Sequence, residues 1–252
     1  MSEPRVIWSR LDAEELCAEL LEQPVVAFDT EWYKYDRTRH NANNGLAFCL
    51  TFCYESEVMG RQTIYVHNYG KSEGNIWALQ PWFANEDCAK IAHNLPSDYQ
   101  IVRNHGLKIE GQLIDTMVAD YLLDERNENA HTIGDCMARY FGVQRLAYDK
   151  TFGVAKLRAD GEAYATGQLI VPSMEEVYAQ GGGPETIVTY ACHDAEDAWD
   201  LKVYRVPSWR RSNGGTRPIS IISLSMSAAL PALLRGWSTG GCRSTRSFCA
   251  SS

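Results

Sequence analysis

The stretch Val25-Val26-Ala27-Phe28-Asp29-Thr30-Glu31 decides how this chain is read. Residues of strand propensity run straight into two carboxylates at i and i+2, a spacing that puts both on one face of a strand. Two like charges held that close repel each other. A fold keeps such a pair when something positive sits between them, usually a divalent cation with hard oxygen ligands. A lone Asp-x-Glu is more commonly the solvated acidic end of a strand, so the reading turns on whether further carboxylates converge on this one.

The rest of the composition is that of a soluble globular protein: 252 residues, 45% hydrophobic and 22% charged, enough for one large domain or two small ones. There is no apolar run of membrane-spanning length, and Met-Ser-Glu-Pro-Arg-Val at the start lacks the apolar segment of a signal peptide. The expected location is therefore the cytoplasm of a bacterium, or of the bacterial host of a phage, with no membrane partner. The eight cysteines form no C-x-x-C pair, and Cys49 and Cys53 lie in an apolar run. They read as reduced core residues. Residues 202–252 hold eight Lys and Arg and no acid, which leaves 32 acidic against 16 basic side chains in the first 201 residues. Such a body excludes a protein that grips nucleic acid by bulk electrostatics. It does not exclude a nucleic-acid enzyme whose acidic pocket is filled by metal ions.

Upstream of the acidic strand, Leu11, Leu16, Leu20 and Leu21 lie near helical spacing and Pro24 stops the pattern, predicting a short helix. Downstream, residues 33–45 are polar and read as a loop around Asn41, Asn43, Asn44 and Gly45. Leu46–Tyr54 and Gln62–His67 read as strands joined by a turn at Glu57–Gly60, so that the first three strands form an antiparallel meander in an α/β domain. Cys88–His93 reads as a buried strand emptying into Asn94-Leu95-Pro96-Ser97-Asp98, with Ser97 or Asp98 expected to cap a helix. Leu113–Met117 is another strand-to-helix junction, leading into an apolar face of Met117, Val118, Tyr121 and Leu122. A helix from His131 through Tyr140 should end at Gly142. Residues 158–184 read as loop, and a last helix should run from about Glu185 to Val203.

In that last helix Tyr190 and Asp194 are spaced i, i+4 and share a face. The aromatic alone would be ordinary core; an unpaired buried carboxylate beside it would be costly. Asp29, Glu31, Asp98 and Asp194 thus supply four carboxylates at the ends of a strand, a loop-to-helix junction and a helix.

Phe28-Asp29-Thr30-Glu31, His93-Asn94 through Asp98, and Tyr190-Ala191-Cys192-His193-Asp194 resemble the three motifs of the DEDD-superfamily 3′–5′ exonucleases. The branch is the tyrosine-bearing one, and the likeness is strongest to the proofreading domain of family A DNA polymerases of the polymerase I type. Gly111–Met117, Tyr121–Leu123, His131–Ile133 and Tyr148–Gly153 are similar to that domain too, so the resemblance covers about residues 5–204. It implies a ribonuclease H-like fold: a mixed sheet with antiparallel first three strands and helices on both faces. It also implies two divalent ions, Mg²⁺ or Mn²⁺, and hydrolysis at the 3′ end of single-stranded DNA. By the same resemblance Asp29 would bridge both ions, Glu31 and Asp194 would bind one, Asp98 would hold the second through water, and Tyr190 would orient the attacking water. Thr30 and Asn94 would bind the terminal nucleotide, with Leu95 or Phe28 packed on a splayed base. The family often has a basic residue where this chain has Pro96-Ser97, which removes one phosphate contact.

Other residues keep blander readings. His93, His131 and His193 are expected to be structural. Trp32, Tyr33 and Tyr35 could stack on bases or pack on the domain, Asp115 is expected to be an N-cap rather than a fifth ligand, and Lys150 and Arg158 are expected to be surface charges. Two rival functions stand beside the DNA exonuclease: a ribonuclease D-like RNA exonuclease, and a metal-free domain kept as a structural or nucleic-acid-holding part of a polymerase. The chain should divide into an exonuclease domain, residues 1–204, and a basic tail, 205–252, natively replaced by or joined to a polymerase domain or subunit. From Leu201 on there are eleven Ser, no acid and no sustained periodicity, which reads as out-of-frame translation or a basic unstructured arm.

Overall fold

The computed structural model describes residues 3–34, 45–123, 131–155, 169–180 and 184–212, with backbone alone for 34, 155, 184, 185 and 203–212. In chain order the elements are β1 (Arg5–Ile7), α1 (Arg10–Leu21), β2 (Val25–Lys34), β3 (Gly45–Ser56), β4 (Gly60–His67), the short helices α2 (Asn75–Ala78) and α3 (Gln80–Phe83), β5 (Ala89–Ala92), α4 (Leu95–Asn104), β6 (Leu113–Asp115), α5 (Thr116–Leu123), α6 (Ile133–Phe141), α7 (Tyr148–Phe152), the two-residue strands β7 (Val154–Ala155) and β8 (Leu169–Ile170), α8 (Met174–Ala179) and α9 (Pro184–Ser212).

Six strands form one sheet in the order β1-β4-β3-β2-β5-β6. β2, β3 and β4 are the antiparallel meander, with Asp29 paired to Thr51 and Gly60 turning the β3–β4 hairpin at φ +69°. On the other side of β2 the sheet turns parallel: Val25–Ala27 pairs with Ala89–Ile91, and β5 with β6. The short β1, unforeseen because three residues carry no period, pairs parallel to β4.

Alternation along β2 sorts the chemistry. Phe28 points into the core on one face and is fully buried, edge-on to Trp82 at 5.8 Å and Phe83 at 5.7 Å between ring centres. Removing such a ring costs about 3–5 kcal/mol. Asp29 and Glu31 lie on the opposite face, which α9 covers. There Ile187, Val188, Ala191 and Cys192 pack with Phe48, Cys49 and Tyr65, and the Thr51 hydroxyl donates to the Ala191 carbonyl at 3.2 Å. The β2–β3 register shifts between Glu31 and Trp32, a bulge that re-aims the strand just past the second carboxylate.

Several expectations need correction. The α5 face of Val118, Tyr121 and Leu122 is exposed among the described residues, and the helix buries Thr116 and Asp120 instead. Asp120 accepts bonds from His131, Arg139 and Tyr140, so polar anchoring rather than the apolar stripe chooses the docked side. In α1, Leu11 and Leu21 face out while Ala13, Leu16, Cys17 and Leu20 are buried. The segment expected to be loop contains α8, closed by a Ser173–Glu176 capping box. α9 extends in backbone past the expected end at Val203; residues 213–252, most of the 33–45 loop, Tyr35 and Arg158 lie outside the described residues. Six cysteines, at 17, 49, 53, 88, 136 and 192, are buried as expected. Among the described residues no helix is long and apolar enough to cross a membrane.

Candidate active site

Asp29 and Glu31 from β2 meet Asp194 from α9. One carboxylate oxygen of each lies within 4.8 Å of the others, and all three side chains are half-buried. Strand alternation aims the first two, and the close seating of α9 through Ala191 and Ala195, both fully buried, brings the third.

Asp98 is placed differently. Pairing of β2 with β5 stops at Ala27–Ile91, because β5 ends and the chain turns into α4. Asp98, in the first turn of α4, occupies the edge left open: its Oδ1 accepts the Thr30 amide at 2.9 Å and the Thr30 hydroxyl at 2.7 Å. It lies outside the three-carboxylate group, yet its charge acts on both Asp29 and Glu31. Thr30 is buried and holds Asp98 with both donors.

Asn94, not Ser97 or Asp98, caps α4. It adopts a left-handed φ of 63° that Asn tolerates better than most residues, and its side chain makes no capping bond. The amides of Asn94 and Leu95 donate to the Asp115 carboxylate at 3.1 and 3.0 Å. Asp115 also accepts from Met117 and Val118 at the start of α5, so it is the expected cap and at the same time fixes the β5–α4 turn. Leu95 and Phe28 are fully buried in the core and cannot pack on a base. Trp32 and Tyr33 pack on the domain, Tyr33 edge-on to Tyr69 at 5.0 Å. His93 bridges the Thr116 hydroxyl and the His131 carbonyl, a structural role.

Tyr190 stands beside the acidic group, gripped edge-on by Tyr148 at 5.6 Å and Phe152 at 5.2 Å from α7. A cavity of about 480 Å³ opens there, lined among others by Arg145, Thr151, Thr189, Tyr190, His193 and Asp194. Arg145 binds the buried Asp197 through Nε at 2.8 Å and Nη2 at 2.7 Å. This pair escaped the sequence reading because its members are 52 residues apart, with no local pattern to join them.

The electrostatics are those of an acidic pocket awaiting counter-charge. Burial, then the charges of Asp98, Asp194 and Glu31, push the Asp29 carboxyl well up. Burial with Asp194 and Asp98 raises Glu31 to about 8. Burial raises Asp98 to about 7 against the pull of Thr30. Burial and Asp197 raise Asp194 to about 7 against the pull of Arg145. Burial also raises the Tyr190 phenol, keeping it a neutral donor. Converging hard oxygens that repel one another are the donor set for a divalent cation, so the residues present fit such an ion.

The sheet order and this acidic cleft define a nuclease of ribonuclease H-like architecture. The chain belongs to the DNA polymerase A type 3′–5′ exonuclease family, matched over residues 4–197, and is a 3′–5′ exonuclease of the DEDD type. It is 28% identical over 163 residues to DNA polymerase I A, chloroplastic/mitochondrial, of Arabidopsis thaliana, a match covering 58% of this chain and 15% of that protein. To DNA polymerase I of Chloroflexus aurantiacus it is 30% identical over 115 residues, 44% of this chain and 12% of that one. The chain therefore spans a small part of these relatives. In fold it is similar to RNase D of Trypanosoma brucei in complex with RNA U12, with a TM-score of 0.61 at 14% identity over 94% of this chain and 71% of that one. The corresponding figures for RNase D of Escherichia coli are 0.54 at 15% identity, over 82% and 46%.

Proposed function

We propose that the chain removes nucleotides from the 3′ end of single-stranded DNA, releasing 5′-mononucleotides, as the proofreading part of a family A DNA polymerase. The observation that carries this is the convergence of Asp29, Glu31 and Asp194 within 4.8 Å beside Tyr190. The DNA polymerase I relatives favour DNA; the RNase D likeness, at its low identity, speaks to fold.

In this reading Asp29, Glu31 and Asp194 hold two divalent ions, Mg²⁺ or Mn²⁺, with Asp98 adding its charge from the strand edge. When bound, such ions lower the pKa of water and offset charge on the leaving 3′-oxygen. Tyr190, its ring fixed by Tyr148 and Phe152, offers its hydroxyl to orient the attacking water. Asn94, at the β5–α4 turn, is assigned to the terminal nucleotide. Thr30 is assigned to that nucleotide only through the Asp98 it holds. No residue assigned here to the ions, the water or the terminal nucleotide falls after Asp194, and the tail from residue 205 takes no part; translating the gene in its other frames beyond codon 205 tests whether that tail is out of frame.

The substrate is tested by digesting matched 5′-labelled single-stranded DNA and RNA with Mg²⁺ or Mn²⁺. Faster shortening of DNA supports the proposal. Faster shortening of RNA overturns its substrate and returns the ribonuclease D-like reading.

A further inference from the structure

Among the described residues that line the cavity beside Asp194 and Tyr190, Arg145 alone carries a positive charge. Its setting is built rather than incidental. Asp197, one turn beyond Asp194 on α9, is fully buried and takes the Nε and Nη2 sides of the guanidinium in a two-bond fork. Such a fork fixes the plane of the guanidinium as no single bond could. It leaves Nη1 outside the pair, on a side chain about one-fifth exposed. Lys150 is a surface charge beside Asp149, as expected.

A nucleic-acid end entering this cavity brings negative charge up to Asp194, which is grouped with Asp29 and Glu31. A pre-aligned guanidinium is the chemical answer, because it donates to a phosphate oxygen without having to be ordered first.

We propose that Arg145 is the substrate's phosphate contact: its free Nη1 donates to a non-bridging oxygen of the 3′-terminal phosphodiester and stays on the 5′-phosphate of the released nucleotide. Asp197 is a positioning residue that aims it. The proposal rests on the exonuclease reading above, and its test separates the two.

The experiment compares wild type with Arg145→Lys and with the double variant Arg145→Met/Asp197→Leu, which removes both charges and so avoids an orphaned buried carboxylate. Three quantities are read: thermal unfolding, KM against kcat on 3′-ended strands, and calorimetric binding of a 5′-mononucleotide against the matching nucleoside without phosphate. The double variant should unfold near wild type, since replacing a buried ion pair by apolar groups is often neutral. Yet KM and the Kd for the 5′-mononucleotide should each rise about tenfold or more, with nucleoside binding unchanged. In Arg145→Lys, a point charge that cannot serve Asp197 and phosphate together, the same Kd should rise at least about threefold. If the double variant fails to fold, Arg145→Lys decides alone. Wild-type KM and 5′-mononucleotide affinity in a folded variant would reduce the pair to a structural tie and overturn the proposal. A wild type that digests nothing but binds the 5′-mononucleotide through Arg145 would overturn the hydrolytic reading and support this one.

Discussion

Thr30 donates both its amide, at 2.9 Å, and its hydroxyl, at 2.7 Å, to the same oxygen of Asp98, 68 residues further on. The strand that carries Asp29 and Glu31 thereby also anchors the fourth carboxylate, and the motif Asp29-Thr30-Glu31 acts as a unit through alternate faces. The hydroxyl bond pulls the Asp98 carboxyl down against burial. Thr30→Val should therefore raise it, move the acid limb of the pH–rate profile to higher pH, and lose about 1–2 kcal/mol of stability. An unchanged profile would mean that Asp98 does not titrate with activity.

Metal should stabilise this fold more as pH rises. A carboxyl whose folded pKa is raised favours the fold while protonated, and that contribution is lost as pH climbs through the folded value. Glu31 at about 8 and Asp98 and Asp194 at about 7, against unfolded values of about 4, spread the loss from roughly pH 4 to 8. The buried histidines oppose it up to about pH 6.5, so the window from roughly pH 6.5 to 8 shows the end of the loss alone. His67 and His105, lowered to about 4 by burial, are neutral in the fold across that window. Lys90, lowered to about 8 by burial, is still largely protonated over most of it. The metal-free Tm should fall across this range, and the increment on adding Mn²⁺ should grow. A constant increment contradicts the assignment of these carboxyls to an ion.

Tyr190→Phe should reduce kcat by about tenfold to a hundredfold, the worth of one hydrogen bond near charge, and leave metal-induced stabilisation intact. Asp29→Asn should abolish both hydrolysis and that stabilisation. If the two variants lose activity equally, the phenol has a larger part than orienting water.

The acidic body predicts weak dependence of strand binding on monovalent salt. With Arg145 as the phosphate contact, log Kd against log[NaCl] should have a slope of about one, measured with Ca²⁺ in place of Mg²⁺ to suppress turnover. A slope of several would expose a basic track elsewhere on the surface.

Much of this was legible in the sequence, because the decisive features are local. Alternation put Asp29 and Glu31 on one face, helical spacing aligned Tyr190 with Asp194, and the β3–β4 turn and the Gly142 end of α6 fell where turn residues marked them. What escaped is what tertiary contact decides. Periodicity found the apolar stripe of α5 but could not tell that Asp120, bound by His131, Arg139 and Tyr140, docks the other side. Asp115 was legible as a cap of its own helix, but not as the acceptor that holds Asn94 and Leu95. Phe28, next to Asp29, faces the core because strand alternation turns it to the opposite face, and Leu95, next to Asn94, is buried as the first residue of α4.

The most direct test of the account is digestion of a 5′-labelled single strand by wild type and Asp194→Asn, with Mn²⁺ and again in excess chelator. The account predicts a ladder shortened one nucleotide at a time from the 3′ end in wild type with Mn²⁺, and an intact strand in chelator and with Asp194→Asn. A ladder that persists in chelator, or is undiminished in Asp194→Asn, would contradict the claim that Asp29, Glu31 and Asp194 act together on divalent metal.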